Sequence, residues 1–158
     1  MKIKMSQRAT LLVLVCATLL YSLPALAQFT QQGPKLVSAP ALSSSQGNSV
    51  AISADGNTAV IGGPSDNEYI GAVWIWTRSA GVWSQQSGKL IGSGAVCCAN
   101  QGNSVAISAD GNTVLVGGSG DDSNNGNPVG AAWVWTRTGG VWSQQGAKLV
   151  GSGAEGFA

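Results

Sequence analysis

Apolar and polar positions along this chain fall into two regimes. Residues 9–20 are a mainly apolar run preceded by Lys2, Lys4 and Arg8, whereas from residue 46 onward short apolar runs alternate with breaks rich in Gly, Asp and Asn. The second regime predicts strands. Residues 49–53 form a first strand that ends at Ala54-Asp55-Gly56-Asn57, where Asp-Gly supplies the positive φ of a hairpin turn. Residues 58–62 form a second strand, apolar almost throughout, as expected where both faces are covered. A third runs over 72–78. The fourth runs from 82 to about 91 after Ser79-Ala80-Gly81, and its Ser84, Gln85 and Gln86 suit an exposed sheet edge.

The pattern then repeats. Gln46-Gly47-Asn48-Ser49-Val50-Ala51-Ile52-Ser53-Ala54-Asp55-Gly56-Asn57-Thr58 recurs unchanged from Gln101 to Thr113, a shift of 55. Gly71-Ala72-Val73-Trp74-Ile75-Trp76-Thr77-Arg78 returns as Gly130-Ala131-Ala132-Trp133-Val134-Trp135-Thr136-Arg137, a shift of 59. The four extra residues lie between Gly118 and Gly130. A partial third copy comes first: Phe29-Thr30-Gln31-Gln32-Gly33-Pro34-Lys35-Leu36-Val37 matches the fourth-strand tail Trp142-Ser143-Gln144-Gln145-Gly146-Ala147-Lys148-Leu149-Val150. A unit of about 55 residues with four antiparallel strands has the size of a propeller blade. The expected fold is all-β, a partial β-propeller of tandem four-stranded blades. Residues 46–100 form one blade and 101–158 a second, preceded by an outer strand within 28–45 that could close a ring.

The first regime reads as an export signal. Ala25-Leu26-Ala27 is a small-x-small cleavage site, and about 12 apolar residues fall short of the roughly 20 a membrane span needs. Cleavage after Ala27 removes the basic excess, because the remainder sets Lys35, Arg78, Lys89, Arg137 and Lys148 against Asp55, Asp66, Glu68, Asp110, Asp121, Asp122 and Glu155, a net −2. That charge disfavours nucleic acid as a partner. A charged fraction of 9% and 23 glycines in 158 residues fit strands joined by tight turns. There is no histidine, which removes His-dependent triads, His bases and His-ligated zinc.

Gln46-Gly47-Asn48-Ser49-Val50-Ala51, then Val60-Ile61-Gly62-Gly63-Pro64, then Gly71-Ala72-Val73-Trp74-Ile75-Trp76 resembles an FG-GAP repeat, the blade type of integrin α-subunit propellers and of many secreted bacterial proteins. The second unit carries the pattern again from Gln101 to Trp135. Gln46 replaces the family's Phe, and Gly63 and Gly118 stand where Ala is usual. Calcium-binding members carry several acidic or amide ligands in the first hairpin loop. Asp55-Gly56-Asn57 and Asp110-Gly111-Asn112 offer one Asp and one Asn each, short of the roughly six to eight oxygens calcium takes. No cofactor is therefore expected.

Elements shared by both units read as framework, and the six tryptophans, which recur, read as packing between blades. Variable material falls on the face that carries the loops between second and third strands and the connection between units. The candidate binding residues there are Asp66, Asn67, Glu68, Tyr69, Asp121, Asp122, Asn124 and Asn125. Cys97 and Cys98 lie on the same side; adjacent cysteines join only through a strained ring, so they read as incidental thiols or an intermolecular bridge.

The expected function is a secreted, periplasmic or cell-surface module for binding or adhesion, with an extracellular protein or glycan as partner and no catalysis. The alternatives are a self-assembling structural repeat and a fragment of a longer propeller. Four blades of about 55 residues need roughly 220. The 131 residues after the signal therefore predict further blades in the same reading frame or self-association.

Overall fold

The computed structural model describes residues 30–38, 43–122 and 128–153. The chain divides into Met1–Gln31, of which Thr30 and Gln31 alone are described, and Gln32–Ala158, which contains every strand. The export signal expected over 1–27 lies outside the described residues, as do Asn124 and Asn125. Among the described residues no helix is long and apolar enough to cross a membrane.

The fold is all-β. Strands β1 (Ser49–Ile52), β2 (Thr58–Gly63), β3 (Ala72–Ser79) and β4 (Val82–Leu90) form one antiparallel sheet in the order β1-β2-β3-β4. Strands β5 (Ser104–Ile107), β6 (Thr113–Gly118), β7 (Ala131–Thr138) and β8 (Val141–Gln144) repeat the arrangement in a second sheet, and the two sheets do not close on each other. The bounds follow the apolar runs and Asp-Gly turns closely, with two differences. Strand β8 stops at Gln144; the Gln145 N–H still donates to the Val134 carbonyl at 2.8 Å, and the chain meets the sheet again where Leu149 pairs with Ala132. Residues 32–38, expected to be a fourth strand, belong to no sheet, because no described strand lies beside them to complete a ladder.

Each Asp-Gly turn is closed by its own side chains. Asp55 Oδ1 accepts hydrogen bonds from the Ser53 hydroxyl at 2.5 Å and the Asn57 amide at 3.0 Å, Asp55 Oδ2 accepts from Asn57 Nδ2, and Arg78 Nε donates to Asn57 Oδ1. Ser108, Asp110, Asn112 and Arg137 reproduce the set. With a guanidinium on the amide oxygen, three donors on the carboxylate and no second carboxylate in the turn, this loop does not fit the roughly six to eight oxygens calcium takes. The Ser53 and Ser108 hydroxyls, followed by the Asn57 and Asn112 amides, hold the Asp55 and Asp110 carboxyls below the ordinary 3.8. Because the native value is depressed, the stabilisation is complete above the unfolded value and is lost as pH falls through the native one. A carbon-detected NMR titration should find both carboxyls ionising below 3.8, and Ser53→Ala should raise Asp55 alone.

Strand register sorts the side chains of each sheet into two faces. Ala51, Val60, Ile75 and Gln86 are cross-strand partners on the trailing face of the first sheet; Ile52, Ala59, Trp76 and Gln85 share its leading face with Val50, Ile61 and Trp74. The main core joins the trailing face of the first sheet, through Val60, Val73, Ile75 and Leu90, to the leading face of the second, through Val114, Val116, Trp133, Trp135 and Trp142. Three of the six tryptophans thus pack between the sheets. A smaller core on the leading face of the first sheet gathers Ile61, Ala72, Trp74 and Trp76, with Leu36 and Trp83 against it.

Two polar contacts set the spacing between sheets. Gln101 is buried and clamps the backbone of one residue, accepting from the Gly92 N–H at 2.6 Å and donating to the Gly92 carbonyl at 3.0 Å. Gly92 has no room for a Cβ, which would enter the Trp133 ring. Arg137 Nη1 donates to Gln86 Oε1 at 2.9 Å while its guanidinium lies 5.2 Å from the centroid of Trp142. Both contacts recur one unit earlier. Gln46 clamps Ser38, accepting from its N–H and donating to its hydroxyl, and Arg78 Nη1 donates to Gln32 Oε1 at 2.6 Å while covering Trp83 at 5.4 Å. Residues 32–38 therefore sit on the first sheet as residues 86–92 sit on the second.

Candidate functional site

The loops between second and third strands and the connection between units converge on one side of the molecule. Residues 66–71, 96–101 and 118–121 are joined by main-chain hydrogen bonds: the Asn100 N–H donates to the Tyr69 carbonyl at 2.8 Å, Gln101 N–H to Ile70 at 2.9 Å, and Gly120 N–H to Ala99 at 3.2 Å. Gly71 and Gln101 form a parallel bridge, so close that a Cβ on Gly71 would enter the Gln101 backbone. This edge is a continuous strip of backbone rather than three separate loops.

Along the strip, the candidate residues divide. Asp66 and Asp121 point inward. Lys89 Nζ reaches Asp66 Oδ2 at 2.5 Å and Lys148 Nζ reaches Asp121 Oδ2 at 2.5 Å, and Asp121 Oδ1 also accepts from the Val96 N–H at 2.8 Å. The Asp121 side chain is 0% exposed. Burying a carboxylate this way is tolerable only with a matching cation and hydrogen-bond donors, and here Lys148 and the Val96 N–H supply one to each oxygen. The two carboxylates are buried in ion pairs that tie each loop to the tail of its own unit's fourth strand.

Asn67, Glu68 and Tyr69 are exposed. They follow Asp66 in a single irregular turn, Asp66–Tyr69, in which φ is 50° at Asn67, 55° at Glu68 and 68° at Tyr69. Side chains in this left-handed region are held there by surrounding structure. Here the anchors are the Asp66 ion pair and the Asp66 carbonyl, which accepts from the Gly71 N–H at 2.9 Å. Asp122, with φ 58°, is half-buried and follows the ion-paired Asp121. Cys97 is exposed and Cys98 half-buried, their Sγ atoms 2.9 Å apart without a disulfide. A hydrogen bond with Cys97, then partial burial, raises the Cys98 thiol above 9.0, which keeps it protonated and poorly nucleophilic at neutral pH.

Among the described residues no group of three or more His, Cys, Asp or Glu is clustered as a metal site. What the strip offers is an aromatic ring, an amide and one exposed carboxylate in a row beside two thiols, chemistry suited to hydrogen bonding and stacking. Sequence reasoning did not single out the Gln46 and Gln101 clamps or the Lys89 and Lys148 partners. Their signal was recurrence, with Gln and Asp returning at a shift of 55 and Lys at 59. No protein-family model matches the chain, and no curated protein is similar to it.

Proposed function

We propose that this chain is an exported binding module built from propeller-type blades, whose strip of loops engages an extracellular protein or glycan and carries out no catalysis. The observation that carries the reading is the contrast along that strip. Shared residues turn inward to fix the loops, while Asn67, Glu68 and Tyr69 project from a strained turn held at both ends. Rigid presentation of an aromatic and two polar side chains lowers the entropy cost of binding. The resemblance of Gln46 to Trp76 and Gln101 to Trp135 to FG-GAP repeats supports the blade assignment, and the apolar run behind Lys2, Lys4 and Arg8 supports export.

The experiment is binding to arrays of extracellular-matrix proteins and glycans, comparing the native chain with a variant carrying Asn67→Gly, Glu68→Gly and Tyr69→Ser. Glycine relieves the left-handed strain at the first two positions, so the variant keeps its fold. A drop in affinity of at least about tenfold is expected, the scale of one central aromatic contact. Unchanged affinity would remove the turn from the binding surface.

A further inference from the structure

We propose that two copies of this chain associate head to tail, the trailing face of the second sheet in one copy docking on the leading face of the first sheet in the other, where it displaces residues 32–38. The inference concerns assembly and does not depend on what the loop strip binds.

The internal contact between the sheets is the template. Val60, Ile75 and Leu90 on the trailing face of the first sheet are buried against the second. Their counterparts on the second sheet are Leu115, Val134 and Leu149, and no third sheet covers them among the described residues: Leu115 is 43% and Leu149 55% exposed. At the opposite end, Val105 and Ile107 pack into the main core, whereas their counterparts Val50 and Ile52 are 68% and 57% exposed. Each uncovered face repeats one half of an interface that already exists in the same molecule. The two halves are complementary because the units are copies.

The polar contacts follow the same logic. Gln86 and Gly92, which receive Arg137 and Gln101, correspond to Gln145 and Gly151 at the uncovered end. On the leading face of the first sheet, Arg78 and Gln46 stand ready in the positions of Arg137 and Gln101, but their present partners are Gln32 and Ser38. The occupying segment Gln32-Gly33-Pro34-Lys35-Leu36-Val37-Ser38 and its counterpart Gln145-Gly146-Ala147-Lys148-Leu149-Val150-Gly151 share Gln, Gly, Lys, Leu and Val in order. Residues 32–38 are thus a short stand-in for the tail of a preceding unit. They bring Leu36 to the small core but leave Val50 and Ile52 uncovered. A second copy offers the same tail with a whole apolar face attached, and the exchange costs no polar contact. Since the two docking faces differ, each added copy leaves one of each uncovered, and association continues until a ring closes or a filament grows.

The test is sedimentation velocity and light scattering on the purified protein over a wide concentration range, with three substitutions. Ile52→Asp and Leu115→Asp each spoil one face, and both sites are already exposed, so near-UV circular dichroism should be unchanged. The native chain is expected to grow beyond a dimer with concentration. Each of these variants alone should remain monomeric, and an equal mixture should form a one-to-one dimer through its two intact faces. Leu36→Asp, which loosens the stand-in segment, should strengthen association at least about tenfold. The proposal is overturned if native and Leu36→Asp proteins both stay monomeric, if either face variant alone still associates, or if the mixture yields no dimer.

Discussion

Trp133→Ala is expected to destabilise the fold by about 3–5 kcal/mol, the range for emptying a fully buried aromatic site. Trp133 is completely buried at the junction of the two sheets, its ring lies against the Gly92 backbone, and its Nε1 donates to the Ser93 carbonyl at 2.9 Å. Truncation would open a cavity in the one core that both sheets share. Against a total stability of roughly 5–15 kcal/mol for a domain, that loss approaches the unfolding threshold. Trp133→Phe separates the two contributions, because it keeps most of the ring and leaves the Ser93 carbonyl unsatisfied, a cost of about 1–3 kcal/mol. Urea denaturation followed by tryptophan fluorescence gives both values. Val141→Ala, at an exposed strand position, serves as the control and should change stability by less than about 0.5 kcal/mol. A loss below 1 kcal/mol for Trp133→Ala would mean that the sheets are not held together through this core.

Asp121→Ala should have an effect of similar size by a different route. It removes the partner of Lys148 and the acceptor of the Val96 N–H from a site closed to water, and stranding a buried charge in this way costs about 3–5 kcal/mol. Lys148 keeps only 19% of its side chain exposed, so rehydration in place is limited. Lys89 keeps 40%, and Asp66→Ala should therefore cost less. The double variant Asp121→Leu with Lys148→Met should recover most of the stability, since a well-packed apolar pair replaces the ion pair. Thermal unfolding of the native chain, Asp121→Leu, Lys148→Met and the double variant forms the cycle. If Asp121→Ala and Asp66→Ala were equally mild, the carboxylates would be surface groups after all, and the loop strip would need another anchor.

These two sites also mark where sequence reasoning succeeds and where it stops. The strands were legible because short-range signals define them: Asp55-Gly56 and Asp110-Gly111 set the turns, and the apolar runs beginning at Thr58 and Thr113 set the central strands. Repetition made all six tryptophans read as packing between units; Trp133, Trp135 and Trp142 do lie between the sheets, whereas Trp74 and Trp76 sit in the smaller core with Trp83 and Leu36. The ion pairs were not. Asp121 and Lys148 are 27 residues apart and meet only because the chain tail after β8 folds back across the loop, a long-range geometry without a local signature. Treating each loop as variable along its whole length also hid the recurrence of its aspartate, Asp66 and Asp121. Gln46 was read as a departure from a family pattern, yet a side chain that both donates and accepts is what clamping a peptide requires. For residues 32–38 the sequence match to a fourth strand was real, but a strand needs a neighbour, and what formed instead is a strap carrying the same contacts.

The clamp made by Gln101 on Gly92 has a consequence for how such a chain can change length over generations. The second unit grips the tail of the first with residues of its own, and the first grips residues 32–38 in the same way. A gene duplication of one whole period, wherever its breakpoints fall within the period, restores a grip and a tail at each new junction. No second mutation is needed to make the added unit fit. Near-identical units are then what the geometry favours, because Gln101 and Gly92 meet across the junction and a drift in either would weaken the grip wherever the altered unit is copied.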